Sequence, residues 1–288
     1  MIRKAYLEIT NICNLSCVFC HKTARAPKRL TAEEFERLTD RLAGIPYLYF
    51  HLMGEPTLHP LLPHFIARAK EKGFLPMLTT NGSLLSQKGE ALLENLPHKI
   101  SISLHAPSAN PAFSAVDYFP TCIDFARKAA AKGCMVALRL WNLGSVREGQ
   151  NGEILARLHD AFPGEWQTVR RGNGYRLAPG LFLEWGEEFD WPDPSAPALP
   201  PDAELFCYGL RDQIGILSDG RVVPCCLDAD GILTLGNLFT DSLSEILSTP
   251  RARAIYDGFT RHRAAEELCC RCGYARRFTR PTMKNSQL

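Results

Sequence analysis

Two rhythms of apolar and polar residues alternate through the first two-thirds of the chain. Short aliphatic and aromatic runs at 6–10, 47–53, 74–79, 99–104, 135–140 and near 166–169 each read as a strand. Stretches with the 3.6-residue period of a helix lie between them. The first of these shows its own start. Thr31 is an N-cap, Glu34 completes a capping box, and Leu30 with Phe35 forms a hydrophobic staple. Phe35, Leu38 and Leu42 then share one face, and Gly44 and Pro46 end the helix. Further helices are predicted over 61–72, ended by Gly73, and near 84–94, 119–132 and 152–162. Six strand–helix units imply parallel strands joined by right-handed crossovers. Six are too few to close an eight-stranded barrel. The predicted fold class is therefore α/β, a partial (β/α)6 TIM-like barrel that stays open. Pro76 sits awkwardly in the third strand, because proline has no N–H for the ladder.

The pattern changes after about residue 186. The run Trp191-Pro192-Asp193-Pro194-Ser195-Ala196-Pro197-Ala198-Leu199-Pro200-Pro201 reads as an extended connector. Beyond it the strand–helix alternation stops. Residues 214–217 and 221–223 flank Ser218-Asp219-Gly220, a hairpin signal. A helix starts near Ser242 with Glu245 as its capping-box partner. We expect a barrel over 1–190, a connector over 191–203, and a small cysteine-rich α+β domain over 204–288. The last stretch is basic, from Arg251 to Lys284, and reads as a solvated, salt-bridged surface.

Bulk properties narrow the class. The chain has 288 residues, a net charge of +2 and 45% hydrophobic residues. That suits a globular protein and demands neither nucleic acid nor an anionic membrane. No apolar run reaches membrane-spanning length, and residues 1–12 lack a signal-peptide core. Eleven cysteines without a secretory signal point to a reducing compartment, and to metal or redox chemistry rather than disulfides. A cytoplasmic location is the expectation.

Three of those cysteines carry the most chemistry. Cys13, Cys17 and Cys20 have the spacing C-x3-C-x2-C and follow the first strand, at the end where barrel active sites sit. Thiolates this close converge on one metal centre. Three of them hold a [4Fe–4S] cube with one iron open, whereas structural zinc closes its tetrahedron with a fourth ligand. His21 is available as that ligand, so on this run alone zinc stays open. The second strand then ends in Gly54-Glu55-Pro56. With Phe19 as the aromatic residue of C-x3-C-x-Φ-C and this Gly-Glu-Pro motif, the sequence resembles the radical SAM superfamily over nearly its whole length.

The resemblance implies a [4Fe–4S] cluster on Cys13, Cys17 and Cys20 that binds S-adenosylmethionine (SAM). It implies reductive cleavage of SAM to a 5′-deoxyadenosyl radical, which abstracts hydrogen from a small-molecule or peptide substrate in an oxidation, epimerisation or crosslinking. It also implies an electron donor such as flavodoxin or ferredoxin. Glu55 would accept from the methionine amino group, and Gly54 would admit close backbone approach. Ser103 and Arg139, on neighbouring strands, would hold the carboxylate, which arginine's planar fork matches; an unrelated ion pair is the alternative for Arg139. The peptide groups around Phe19 would flank adenine, and Asn81 would touch the ribose. His105, Trp141 and Asn142 stand at strand C-termini and should border the pocket. His105 is a catalytic candidate, with a satisfied structural histidine as the other reading.

A second cysteine set lies in the last third: Cys207, Cys225, Cys226, Cys269, Cys270 and Cys272. A lone cysteine, a hairpin ending in another and a terminal C-x2-C are also the parts of a zinc ribbon. Together with Gly220 to Cys225 as Gly-x-Val-x-Pro-Cys and Gly236-Asn237 before a helix, they resemble the SPASM extension, in its shorter twitch form. That implies one auxiliary [4Fe–4S] cluster, on Cys207, Cys225, Cys269 and Cys272. Adjacent residues on a strand face opposite ways. Cys226 is thus either buried and inert or a catalytic hydrogen-atom donor at the barrel mouth. Cys122 and Cys134 read as packing residues. Two alternatives remain: a glycyl-radical-enzyme activase acting on a partner protein, and a non-catalytic zinc-stabilised module. Against the first, no cysteine lies between Cys20 and Cys122. Against the second, all three cysteines of the first motif are present. With the first motif starting at residue 13, a separate leader-peptide-recognition domain is not expected.

Overall fold

Residues 2–110, 113, 117–169, 174–200 and 203–278 are described by the computed structural model. Strand and helix alternate as β1 (Lys4–Leu7), α1 (Ala32–Asp40), β2 (Tyr47–Tyr49), α2 (Leu62–Glu71), β3 (Leu75–Thr80), α3 (Leu85–Glu94), β4 (Lys99–Ser103), α4 (Tyr118–Ala131), β5 (Met135–Leu143) and α5 (Asn151–Ala161). The capping box of α1 is formed in both directions, Thr31 Oγ1 accepting from Glu34 N and the Glu34 carboxylate from Thr31 N. Such a cap stabilises a helix by about 1 kcal/mol. β1 to β5 pair in chain order, all parallel.

The sixth barrel strand is not where its pattern was expected. At 166–169 the chain forms only β6 (Gln167–Thr168), a two-residue edge with both residues exposed. It pairs antiparallel with β7 (Gly174–Ala178), which turns back into β8 (Leu181–Glu187). β8 takes the place beside β5, parallel to it. Burial explains the choice: Leu181 and Leu183 are closed in the core, whereas Gln167 and Thr168 have nothing apolar to bury. Pro76 is tolerated in β3 for a positional reason. β4 begins opposite Met77, so Pro76 precedes the first rung of that ladder.

The C-terminal third extends the same sheet. β9 (Gln213–Ile216) adds beside β1 in parallel, followed by β10 (Arg221–Val223) and β11 (Gly236–Asn237). The full order is β11-β10-β9-β1-β2-β3-β4-β5-β8-β7-β6, a partial barrel that does not close. Helices α6 (Leu243–Ser248), α7 (Pro250–Thr260) and α8 (Glu267–Cys270) follow. The capping box of Ser242 and Glu245 is formed. The connector carries neither helix nor strand where it is described, and Pro201 lies outside the described residues. In the basic stretch Arg251 pairs with Glu266 and Arg271 with Glu267, while Arg280 and Lys284 lie outside the described residues.

Two layers share each strand. Ile100 and Ile102 turn to the helices, where Phe35, Phe50 and Phe65 are fully buried. Each such side chain is worth about 1.5–3 kcal/mol in burial. The alternate positions Lys99, Ser101 and Ser103 turn to the barrel interior. Cys122 and Cys134 are buried packing residues, as their barrel positions suggested. No helix among the described residues is long and apolar enough to cross a membrane.

Candidate active site

The cysteine loop leaves β1 and returns at a bridge between Thr10 and Arg29. Its first half is pressed against the end of β2. A Cβ on Gly54 would stand 2.4 Å from Thr10 O, and φ there is +78°, so space and conformation both require glycine. Glu55 N–H donates to Ile12 O at 2.9 Å. The far half is tied to buried Glu8, which receives Arg25 on both oxygens at 2.8 and 2.6 Å.

Cys13, Cys17 and Cys20 all line one cavity. Asn110 Nδ2 donates to Cys17 Sγ at 3.0 Å, and Asn81 Nδ2 lies 3.9 Å from Cys13 Sγ. Amide donors aimed at sulfur suit a thiolate-ligated centre. Burial raises the thiol pKa values, that of Cys20 to about 12. The sulfurs do not yet converge: Cys20 Sγ turns to His21 O, and among the described residues no three candidate ligands are gathered tightly enough to grip an ion. Three soft donors in one loop, two of them with amide donors, nevertheless fit an iron–sulfur group and not a closed zinc tetrahedron. His21 Nε2 is committed to Asp230 at 2.6 Å.

The cavity below holds about 650 Å³. One wall is aromatic: Tyr6 stacks on Tyr49 with centroids 4.4 Å apart, and His51 meets both edge-on. The opposite wall is a row in register across three strands, Ser103 beside Arg139 beside Glu184. The Arg139 guanidinium lies 3.4 Å over the Trp141 ring. Glu184 turns to Lys99, and among the described residues no acid stands within ion-pair distance of Arg139. Arg139 Nε, Trp141 Nε1 and His51 Nδ1 are buried with no hydrogen-bond partner among the described residues. Such atoms are uncommon in folded proteins and call for an explanation at each site.

The other residues singled out from the sequence fall into two groups. Phe19, Gly54, Ser103, His105, Arg139, Trp141 and Cys226 line the cavity. Glu55 and Asn81 stand outside its wall. The Glu55 carboxylate accepts from Thr57 N, Thr57 Oγ1, Thr80 Oγ1 and Asn81 N. Burial raises its pKa and these donors oppose the rise. Asn81 Nδ2 donates to Asn14, while its Oδ1 accepts from Ser83. His105 is 4% exposed, and burial lowers its pKa to about 4, so the ring is neutral at pH 7. Its Nδ1 lies 3.1 Å from Arg139 O. Asn142 is buried and pairs with Asn151, away from the cavity.

Burial and mutual repulsion together raise the thiols of Cys207, Cys225 and Cys269, and the interactions link them with one another and with Cys272. Cys226 joins this neighbourhood and also faces the cavity. Cys270 is apart, its main neighbours being Glu267 and Arg271.

Sequence reasoning missed Asn110, the Tyr6–Tyr49–His51 wall, Glu184, Tyr274 and Trp191. The first two strands do carry a signal: positions of one parity, Tyr6 or Tyr49 with His51, are polar-aromatic where the other parity is apolar. Asn110, Trp191 and Tyr274 lie in loops and have no such periodicity.

Comparisons with known proteins agree with this arrangement. The profile of the radical SAM superfamily matches residues 7–138, and that of the iron–sulfur cluster-binding SPASM domain matches residues 207–273. The tungsten-containing aldehyde ferredoxin oxidoreductase cofactor-modifying protein of Pyrococcus furiosus is 35% identical over 88 residues, 29% of this chain and 25% of that protein. The PqqA peptide cyclase of Granulibacter bethesdensis is 37% identical over 93 residues, 31% of this chain and 24% of that protein. The match thus spans about a quarter of the length of each. Among solved structures, BtrN in complex with AdoMet and 2-DOIA superposes with a TM-score of 0.60 at 15% identity, covering 94% of this chain and 93% of that one. SuiB of Streptococcus suis bound to its precursor peptide SuiA gives 0.60 at 17% identity, covering 95% and 70%. Three cysteines over an open barrel and a cysteine-rich extension on the same sheet place the chain in the radical SAM superfamily, which works with a [4Fe–4S] cluster and SAM, and it carries an iron–sulfur domain of the SPASM type.

Proposed function

We propose that this protein cleaves SAM reductively and uses the product radical on a peptide. When loaded, the cluster supplies the electron that splits SAM into methionine and a 5′-deoxyadenosyl radical, which takes a hydrogen atom from the substrate. The observation that carries the reading is a three-cysteine loop closing a cavity of about 650 Å³ whose wall holds an arginine with no acid at ion-pair distance among the described residues. Arg139 and Ser103 are the pair for the methionine carboxylate, adjacent in register and both facing the cavity. Gly54 lets the backbone approach the loop. Glu55 works indirectly, tying the end of β2 to the end of β3, and Asn81 steadies Cys13. Neutral His105 is held beside Phe19, at 5.3 Å between rings, as the catalytic candidate on the cavity wall. Cys207, Cys225, Cys269 and Cys272 would hold one auxiliary cluster, leaving Cys226 at the cavity wall as the candidate hydrogen-atom donor.

A peptide is favoured over a small metabolite by the shape of the site. A second cleft of about 750 Å³ shares Phe19, His21, Glu188, Phe189, Trp191 and Leu227 with the cavity, so the approach is long enough for an extended chain. A relative that is a PqqA peptide cyclase and a fold neighbour solved with its precursor peptide support the same class. The test replaces Cys13, Cys17 and Cys20 together with alanine. The variant should make no 5′-deoxyadenosine with dithionite and should keep the iron of the auxiliary cluster. Continued 5′-deoxyadenosine formation would remove the proposal.

A further inference from the structure

Trp141 stands where β5 departs from regular pairing, the register to β8 shifting between Leu140 and Leu143. Irregularities of this kind re-aim side chains. The indole is held on two sides. On one, the guanidinium carbon of Arg139 is 3.4 Å from the ring centroid. On the other is Gly186 of β8, where a Cβ would come within 2.8 Å of Cγ and Cδ1 and 2.9 Å of Cδ2. Gly186 has no positive φ, so its backbone does not ask for glycine. The space does. Because ring and guanidinium are in contact, a displacement of the indole moves the charge.

We infer that Gly186 and Trp141 are positioning residues for Arg139. Gly186 leaves the gap that the indole fills, and the indole face sets the plane of the guanidinium so that its fork meets a carboxylate. This rests on the reading that Arg139 receives the methionine carboxylate of SAM. An arginine held flat on an aromatic face loses little freedom when it binds. The same arginine pushed off that face meets the anion with one N–H rather than two.

The test measures binding to the reconstituted full-length protein by anaerobic calorimetry, with two probes. One is SAM. The other is decarboxylated SAM, which keeps the adenosine and sulfonium but lacks the carboxylate. The wild type should prefer SAM by about tenfold or more, the scale of a charge-assisted hydrogen bond. Arg139→Ala should lower the preference by about tenfold, the remainder coming from Ser103 and from the cluster's open iron, which the carboxylate also reaches. Gly186→Ala should lower it severalfold while affinity for decarboxylated SAM stays at the wild-type value. Trp141→Ala, which removes the support without intruding, should do the same. Trp141→Phe should restore the preference, because it keeps a flat face. If Gly186→Ala and Trp141→Ala retain the wild-type preference while Arg139→Ala lowers it, the positioning role is wrong and the carboxylate reading stands. Equal weakening of both probes by Gly186→Ala also overturns the positioning role. If Arg139→Ala keeps the full wild-type preference, the carboxylate reading falls and the positioning role with it.

Discussion

A buried histidine reports its surroundings through its pKa. His105 is closed in by the ends of β4 and β5, and burial lowers its pKa to about 4; His51, across the cavity, is lowered to about 3 by burial and by Arg139. The unfolded chain takes up these protons near pH 6.5 and the folded chain does not. The unfolded state thus binds more protons below pH 6.5, so stability from the neutral ring is complete above that pH and falls as the pH drops toward the folded pKa. Between pH 6.5 and 5.5 His105 alone should cost about 1 kcal/mol. Glu36, held down to about 2 chiefly by Arg68, titrates below this window and does not contribute to it. At matched iron content, His105→Asn should flatten the pH dependence of the melting temperature over that unit. An unchanged slope would show that His105 is accessible to protons in the fold. At this scale the sequence was legible where a residue type has one use. Cysteine at C-x3-C-x2-C and glycine before Glu55 are such cases. It is less legible where a side chain has two: a carboxylate after a strand reads as a cofactor contact, and the structure shows that Glu55 also ties β2 to β3 through four neighbouring donors.

Elements were legible in proportion to the burial pattern they carry. α1 announced itself by caps and face, and β1 to β5 by aliphatic alternation. β8 did not, because Leu181-Phe182-Leu183-Glu184-Trp185 follows β7 through a tight turn at Gly180 and no crossover helix introduces it. Only pairing with β5 selects β8 as a barrel strand, and pairing is invisible in one strand's sequence. β10 ends at Val223, so the doublet Cys225-Cys226 lies in a bend and turn beyond it, and strand alternation does not decide between the two. Cys226 faces the cavity, and Cys225 belongs with Cys207 and Cys269. Cys225→Ala should therefore lose about four irons per chain, the content of one cube. Cys226→Ala should keep its iron and still cleave SAM, failing later in turnover if the thiol returns a hydrogen atom. Iron lost from Cys226→Ala and retained by Cys225→Ala would exchange the two assignments.

At the scale of the whole molecule, the sequence separates a barrel from a cysteine-rich extension, and the structure joins them. β9 lies directly beside β1, so the extension is built onto the strand that leads into the cysteine loop. Two buried or half-buried acids complete the joint. Glu8, with no exposed surface, gathers Arg25 from the loop, Met53 N from the end of β2, and Ser218 N and Oγ from the hairpin. Asp230, on the extension, accepts from His21 at 2.6 Å, from Thr23 Oγ1 at 2.6 Å and from Ala24 N at 3.1 Å. Trp191 Nε1 donates to Phe19 O at 3.0 Å. The loop that would hold the SAM cluster is thus fastened at residues 19–25 by groups some two hundred positions away in sequence. No single-chain pattern reveals such contacts, because each partner is an ordinary polar residue in its own context. The arrangement predicts that the extension governs the order of the loop. Asp230→Ala removes the acceptor from three donors, and at this partly solvated site water replaces only part of their bonding. The variant should fold and keep its auxiliary iron. Amide exchange over residues 19–25 should rise by about tenfold or more, while α1, fastened through its own capping box, exchanges as in the wild type. SAM cleavage should fall with the loosening. Exchange over 19–25 equal to that of the wild type would mean that the loop is held by its other contacts, Glu8, Trp191 and Ala229 O, without Asp230.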